Sequence, residues 1–170
     1  NLEPSELVKQ LSLGKAQDVA RRHKNAVVIG ADTIIVFEGK ILGKPKDAGD
    51  AKEMLNGLSG KAHSVITGFT LIDTGTGRTI SKSVETKVYF KNLSPEEIEE
   101  YVKSGEPLDK AGSYAIQELG AFLILSDLKN SSLDWVCFCH SWSWPIHLSS
   151  FSGAGVKIFF RYALNPLCSE

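Results

Sequence analysis

Hydrophobic and polar positions change rhythm along the chain, and each change predicts an element. From Ser5 to about His23, Leu7, Val8, Leu11, Val19 and Ala20 recur near one helical face with Lys, Gln and Arg between them. That spacing predicts an amphipathic helix, weakened at its middle by Gly14. In "VVIGADTIIVFEGKILGKP", Val27 to Pro45, the runs Val27–Ile29 and Ile34–Phe37 are rich in β-branched residues and bounded by Gly30 and Gly39. They predict strand on either side of a single acid, Asp32. A second helix is expected from about Ala48 to Leu58, with Ala51, Met54, Leu55 and Leu58 on one stripe and Ser59-Gly60 as its stop. His63–Asp73 and Thr79–Phe90 read as the two strands of a long hairpin turning at "TGTG". The sharpest local signal is "NLSPEEIEEYVKSG": Ser94 as N-cap, Pro95 in the first helical position, Glu97 completing a capping box, and Gly105 at the end. Ile98, Tyr101 and Val102 form the apolar stripe of that helix. Helices alternating with strands, plus one long hairpin, predict a mixed α/β fold.

Composition narrows the function classes. A chain of 170 residues is long enough for a real core as one domain or a two-lobed unit. The formal net charge of −1 offers no electrostatic footprint for nucleic acid or an anionic membrane. No run approaches the roughly 18 apolar residues of a membrane span, and no leader-like segment follows Asn1, so a cytoplasmic protein is expected.

Every cysteine and tryptophan lies beyond Ile124: Cys137, Cys139, Cys168, Trp135, Trp142 and Trp144. Charged residues thin out over the same stretch, so residues 125–170 are expected to form an atypical C-terminal tail distinct from residues 1–124. An odd number of cysteines argues against a disulfide framework. Cys137 and Cys139 are too close for a C-x-x-C pair, and with His140 and His147 they meet no standard zinc spacing.

Candidate chemistry begins with Asp32. A carboxylate within an apolar run is costly if buried unpaired, and it either faces water at a strand end or serves a site. "GKILGKP" has the look of a phosphate loop but not the spacing of one, and Pro45 stands where a Mg²⁺-binding hydroxyl would be needed. Lys44, between Gly43 and Pro45, is either a solvated turn lysine or a point charge for a phosphate. "GEPLDKAGSYAIQ", residues 105–117, holds Asp109, Lys110, a small Ala-Gly-Ser and Gln117. A glutamine presents a donor and an acceptor together, which suits the edge of a nucleobase; the alternative is an ordinary surface loop.

Taken together, "IGADT", "ILGKP", "AKEMLNGLSGKAHSVITG" and "EPLDKAGSYAIQ" resemble, in order and interval, the signature blocks of the Maf family of nucleoside triphosphate pyrophosphatases. The match covers about residues 5–124, and the "LSG-x-x-HSVITG" wording is closer to the branch acting on dTTP and UTP. The resemblance implies an α/β fold with a twisted mixed β-sheet in two lobes, flanked by helices, with a nucleotide cleft and often a homodimer. It implies hydrolysis of a nucleoside triphosphate to the monophosphate and pyrophosphate with a divalent cation, Mg²⁺ or Mn²⁺, in removing non-standard or excess nucleotides. Asp32 then becomes the proton acceptor or metal-side carboxylate, terminating a strand at the cleft. Thr33 and Gln117 fall on positions associated with base choice, and Lys44 and Lys110 on phosphate-binding lysines. The alternative is a non-catalytic nucleotide-binding relative or an inactive fragment.

Two departures from the family pattern are visible. Its opening strand and Ser-x-Ser-x-Arg-Arg loop, with a further acid, are not in residues 1–170. An uncovered hydrophobic sheet edge is the expected consequence. After "GAFLI" the family's Gly-rich strand and Gly-Leu-Pro segment are replaced by the Trp- and Cys-rich tail.

Overall fold

A computed structural model describes residues 2–116 and 119–125, and the backbone of 150–153 and 156–162. The elements are α1 (Pro4–Ala20), β1 (Ala26–Phe37), β2 (Lys40–Leu42), α2 (Ala48–Leu58), β3 (Ala62–Asp73), β4 (Thr79–Tyr89), α3 (Pro95–Lys103), β5 (Ser150–Gly153) and β6 (Val156–Tyr162). Three short 3₁₀ turns, Glu106–Asp109, Ala111–Ser113 and Leu119–Leu123, follow α3. The sheet order is β4-β3-β1-β6-β5, with β2 pairing on β1. The mixed α/β class expected from the hydrophobic pattern is therefore observed.

The chain divides into two compact units, one of Asn1–Thr33, Ile66–Val84 and Trp142–Asn165, the other of Ile34–Val65, Glu85–Ser141 and Pro166–Glu170. In the first, α1 lies against β1 and β3 at very short range. A methyl group at Gly30 would stand 2.7 Å from the Ala16 nitrogen, and one at Gly68 would stand 2.8 Å from the Lys9 nitrogen. Because helix backbone meets strand backbone there, the buried face of α1 is the small one: Val8, Ser12, Ala16 and Val19. Leu7 and Leu11, expected on that face, are only half-buried. Ser12 donates to the Lys9 carbonyl (2.9 Å) and pairs with the Thr70 hydroxyl (2.9 Å), which continues to Ser81 (2.8 Å). This chain satisfies the hydroxyls that the close approach buries. Ala16, Val19, Ala26, Val28 and Ile72 belong to one small core cluster of the unit.

In the second unit, Ile35, Leu55, Leu58, Val65, Val88, Phe90, Ile98 and Tyr101 belong to one larger core. Its helices form where their signals stand. Asp47 caps α2 by accepting from the Asp50 nitrogen (2.9 Å), and the reciprocal Ser94–Glu97 capping box opens α3. β1 and β2 join through Glu38 and Gly39, both at positive φ (50° and 76°), the backbone a two-residue hairpin turn requires.

Two expectations are corrected. β1 is one twelve-residue strand rather than two runs ending at an acid, and Asp32 lies inside it. Nor is the β1 edge left open: β6 runs parallel to it, Ala26 opposite Lys157 through Ala31 opposite Tyr162, and β5 pairs antiparallel to β6. An unpaired strand edge is a row of unsatisfied donors and acceptors, and these backbone bonds remove that liability. Cys137, Cys139, Cys168, His140, His147 and the three tryptophans lie outside the described residues.

His63 is buried, its Nε2 sharing a 2.6 Å hydrogen bond with the Tyr114 hydroxyl, its ring edge-on to Phe90 and Tyr114. Burial, with the Lys87 charge adding to it, pushes its pKa down to about 4. The unfolded chain therefore binds the His63 proton more readily than the folded one. Stability present at neutral pH is lost as pH falls from about 6.5 toward 4, by about 3 kcal/mol. Urea midpoints between pH 7 and 4 should fall more steeply in the native chain than in a His63→Gln variant. The helix approach makes a second prediction: Gly68→Ala should lower stability by about 1–3 kcal/mol. Gly14→Ala, where nothing lies within 4 Å, should raise it by about 0.5–1 kcal/mol, both read from thermal melts.

Candidate active site

Asp32 and Thr33 are adjacent on β1 and point to opposite faces of the strand, as alternation requires. Ala26 bonds to Thr74 and Thr33 pairs with Thr67, so β1 and β3 run antiparallel and Asp32 stands opposite Gly68. Asp32 continues the row Val28, Gly30 along the side that receives α1. There Lys15, one residue before the Ala16 that touches Gly30, reaches its Oδ1 in an ion pair and also donates to the Ala31 carbonyl (3.3 Å). The Asp32 side chain is 1% exposed and that of Lys15 14%.

Only one oxygen of the carboxylate is engaged. Oδ2 is buried without a hydrogen-bond partner among the described residues. Burial pushes the carboxyl above its ordinary value, and the charge and hydrogen bond of Lys15 pull it back only part of the way. An acid held upward in this manner has a higher proton affinity than an exposed aspartate.

Thr33 is also buried, its hydroxyl 2.9 Å from that of Thr67. In such a pair one hydroxyl donates to the other, and the acceptor keeps its own proton for a third partner.

The other two candidates lie on loops of the second unit. Lys44 is exposed while the flanking Pro45 is buried. Lys110 is buried, and its ammonium sits 2.8 Å from the exposed carboxylate of Asp109. The two loops are stitched together, because the Gly112 nitrogen donates to the Gly43 carbonyl at 2.9 Å. Gly112 takes a positive φ of 66° and presses on Ile35, where a methyl would come within 2.7 Å of Cδ1. Ser113 follows at φ 63°, its hydroxyl 3.2 Å from the Met54 sulfur. Small as it is, Ala-Gly-Ser is anchored by backbone and side chain. Gln117 lies outside the described residues.

The family profile described as Maf-like protein matches residues 1–133. The chain belongs to the Maf family. Among its relatives, the dTTP/UTP pyrophosphatase of Geotalea uraniireducens is 50% identical over 121 residues, 71% of this chain and 62% of that protein. The protein of the same name from Alkaliphilus metalliredigens is 48% identical over 122 residues, 71% and 63% of the two chains. That of Methanococcoides burtonii is 50% identical over 121 residues, 71% and 62%. The present Maf chain thus spans under two thirds of the length of these relatives.

Sequence reasoning missed Lys15. The available signal was Asp32 itself, since an acid inside a buried strand requires a counter-charge. Placing the buried face of α1 on Ser12, Ala16 and Val19 rather than on the leucines sets Lys15 at its edge. Among the described residues of this Maf chain, no group of three or more His, Cys, Asp or Glu side chains is gathered to hold a metal. None of its described helices is long and apolar enough to cross a membrane.

Removing Lys15 leaves a buried charge without its partner. Lys15→Met should lose about 3–5 kcal/mol at neutral pH, and adding Asp32→Asn should restore much of it. The Asp32 carboxyl, already raised, should rise further in the single variant. Its folded form then binds the proton more tightly than the unfolded chain, so that variant should lose stability as pH rises toward neutrality. Denaturant midpoints across pH, with carboxyl carbon titration by NMR, check both signs.

Proposed function

We propose that this protein is a nucleoside triphosphate pyrophosphatase that hydrolyses dTTP and UTP to the monophosphate and pyrophosphate. The observation that carries the reading is the buried Asp32–Lys15 pair with one carboxylate oxygen left over, in a Maf chain of which 71% aligns, at 48–50% identity, with proteins named dTTP/UTP pyrophosphatase. Attack of water on the α-phosphorus of a polyanion calls for charge neutralisation, positioning and a proton acceptor rather than covalent catalysis. Asp32 is the acceptor, its proton affinity raised by burial, and Lys15 holds it in a fixed orientation. Lys44 and Lys110 balance phosphate charge. Lys110, already ordered against Asp109, gives up little freedom in doing so, whereas exposed Lys44 must be ordered by the substrate. Thr33 and Gln117 contribute to base choice, Thr33 with its rotamer set by Thr67.

A divalent cation fits this donor set in a limited sense. Mg²⁺ and Mn²⁺ are commonly held by one or two carboxylates plus substrate phosphates, and the free buried oxygen of Asp32 supplies one such ligand. When bound, the ion neutralises phosphate charge and polarises the phosphoryl group. In this reading the enzyme works on cytoplasmic nucleotide pools and clears excess or non-standard triphosphates.

Pyrophosphate release from dTTP, UTP, dCTP and dGTP with Mg²⁺ or Mn²⁺ tests the proposal. Release is expected from dTTP and UTP first, and Asp32→Asn should lower kcat by about 10²–10⁴-fold. Binding of dTTP with no release by either protein would instead mark a nucleotide-binding relative without catalysis.

A further inference from the structure

Glu106 has no part in the proposed reaction, yet its carboxylate accepts three hydrogen bonds among the described residues. It opens the 3₁₀ turn after Gly105, which takes the left-handed backbone (φ 78°) that ends α3. Oε1 accepts from the Tyr101 hydroxyl at 2.9 Å and from the Gly120 nitrogen at 3.2 Å, and Oε2 accepts from the Leu119 nitrogen at 3.1 Å. The Tyr101 oxygen, only 2% of whose residue is exposed, in turn accepts from the Ala115 nitrogen at 3.4 Å. One side chain therefore ties the start of the segment beginning at Glu106 to its far end at Leu119 and Gly120.

The fit around this clamp is tight. A methyl at Gly120 would stand 2.7 Å from the Tyr101 oxygen. Among its described residues, this segment has no regular strand or long helix to hold it, and it carries Asp109 and Lys110. A backbone without a ladder must find other partners for its donors, and a carboxylate accepting N–H groups makes stronger bonds than a neutral acceptor.

We propose that Glu106 is a positioning residue, which holds the Lys110 segment in the one shape that receives the nucleotide. The inference rests on the reading of Lys110 as a phosphate-binding residue. Glu106 itself touches no reacting atom; it acts on affinity through the backbone it fixes. Loss of the clamp should leave the Asp32 chemistry intact and spread the segment over many conformations, so the substrate must order it on binding.

The test compares the native chain with Glu106→Ala and Glu106→Gln. Glu106→Ala should raise KM for dTTP about tenfold or more with kcat within about threefold, and Glu106→Gln, which keeps an acceptor oxygen, should recover most of the loss. Amide hydrogen exchange over residues 108–116 should quicken about tenfold or more in Glu106→Ala, with amides of α2 unchanged. A folded Glu106→Ala with unchanged KM and unchanged exchange overturns the inference while leaving the pyrophosphatase reading in place. Failure of the native chain to hydrolyse dTTP overturns that reading instead, and the exchange measurement then judges the clamp by itself: unchanged rates sink it, quickened rates support it.

Discussion

A carboxylate sits in the middle of a twelve-residue strand with 1% of its side chain exposed, and an ammonium from the neighbouring helix makes that tenable. The desolvation of Asp32 is only partly offset by Lys15, which is why its proton affinity stays raised. The pair exists because α1 comes close enough for a lysine to reach the strand. That approach depends in turn on Gly30 and Gly68, where any side chain would strike helix backbone. The small buried face of α1 and the Ser12–Thr70–Ser81 hydroxyl chain follow from the same contact. Helix, glycines, hydroxyls and ion pair are thus parts of one arrangement.

The second unit solves a different problem. Its core is conventional, with apolar stripes of α2 and α3 buried where periodicity puts them. Between α3 and Leu125 the described backbone carries only short 3₁₀ turns, and it is held by single hydrogen bonds at chosen points. Gly112 bonds to Gly43, Ser113 reaches Met54, and Glu106 gathers Tyr101, Leu119 and Gly120. Each fixes a stretch bearing a lysine. Buried His63, neutral beside Tyr114, shows the same economy of polar groups, since one ring nitrogen is paired and the ring is packed on aromatic edges. Groups of this kind order a loop without the area that an apolar core would need.

The elements with local signals were legible in advance. The capping box at Ser94 and Glu97, the span of α2 from Ala48 to Leu58, and the β3–β4 hairpin all form close to their expected bounds. Those signals act within a few residues, so the chain itself carries them. The Maf blocks, matched by the family profile over residues 1–133, were equally visible. Val8 and Val19 lie on the buried face of α1 as expected, but Ser12 and Ala16 were passed over because leucines outrank Ser and Ala on any hydrophobic scale, and no such scale registers that two glycines lie opposite. The continuity of β1 through Asp32 was hidden for a related reason, as its partner charge sits seventeen residues away on another element.

Sequence alone therefore determined the α/β class, the helix caps, the hairpin, the family and the acid at which chemistry was sought. Periodicity, capping and turn propensities are short-range properties, and motif order survives without coordinates. Tertiary structure decided that Asp32 is buried and paired with Lys15, that β6 covers the β1 edge, that Lys110 is ordered while Lys44 is exposed, and that Glu106 gathers Tyr101, Leu119 and Gly120. Desolvation, counter-charge and hydrogen-bond satisfaction depend on what lies across space from each group, and spacing along the chain does not encode that distance.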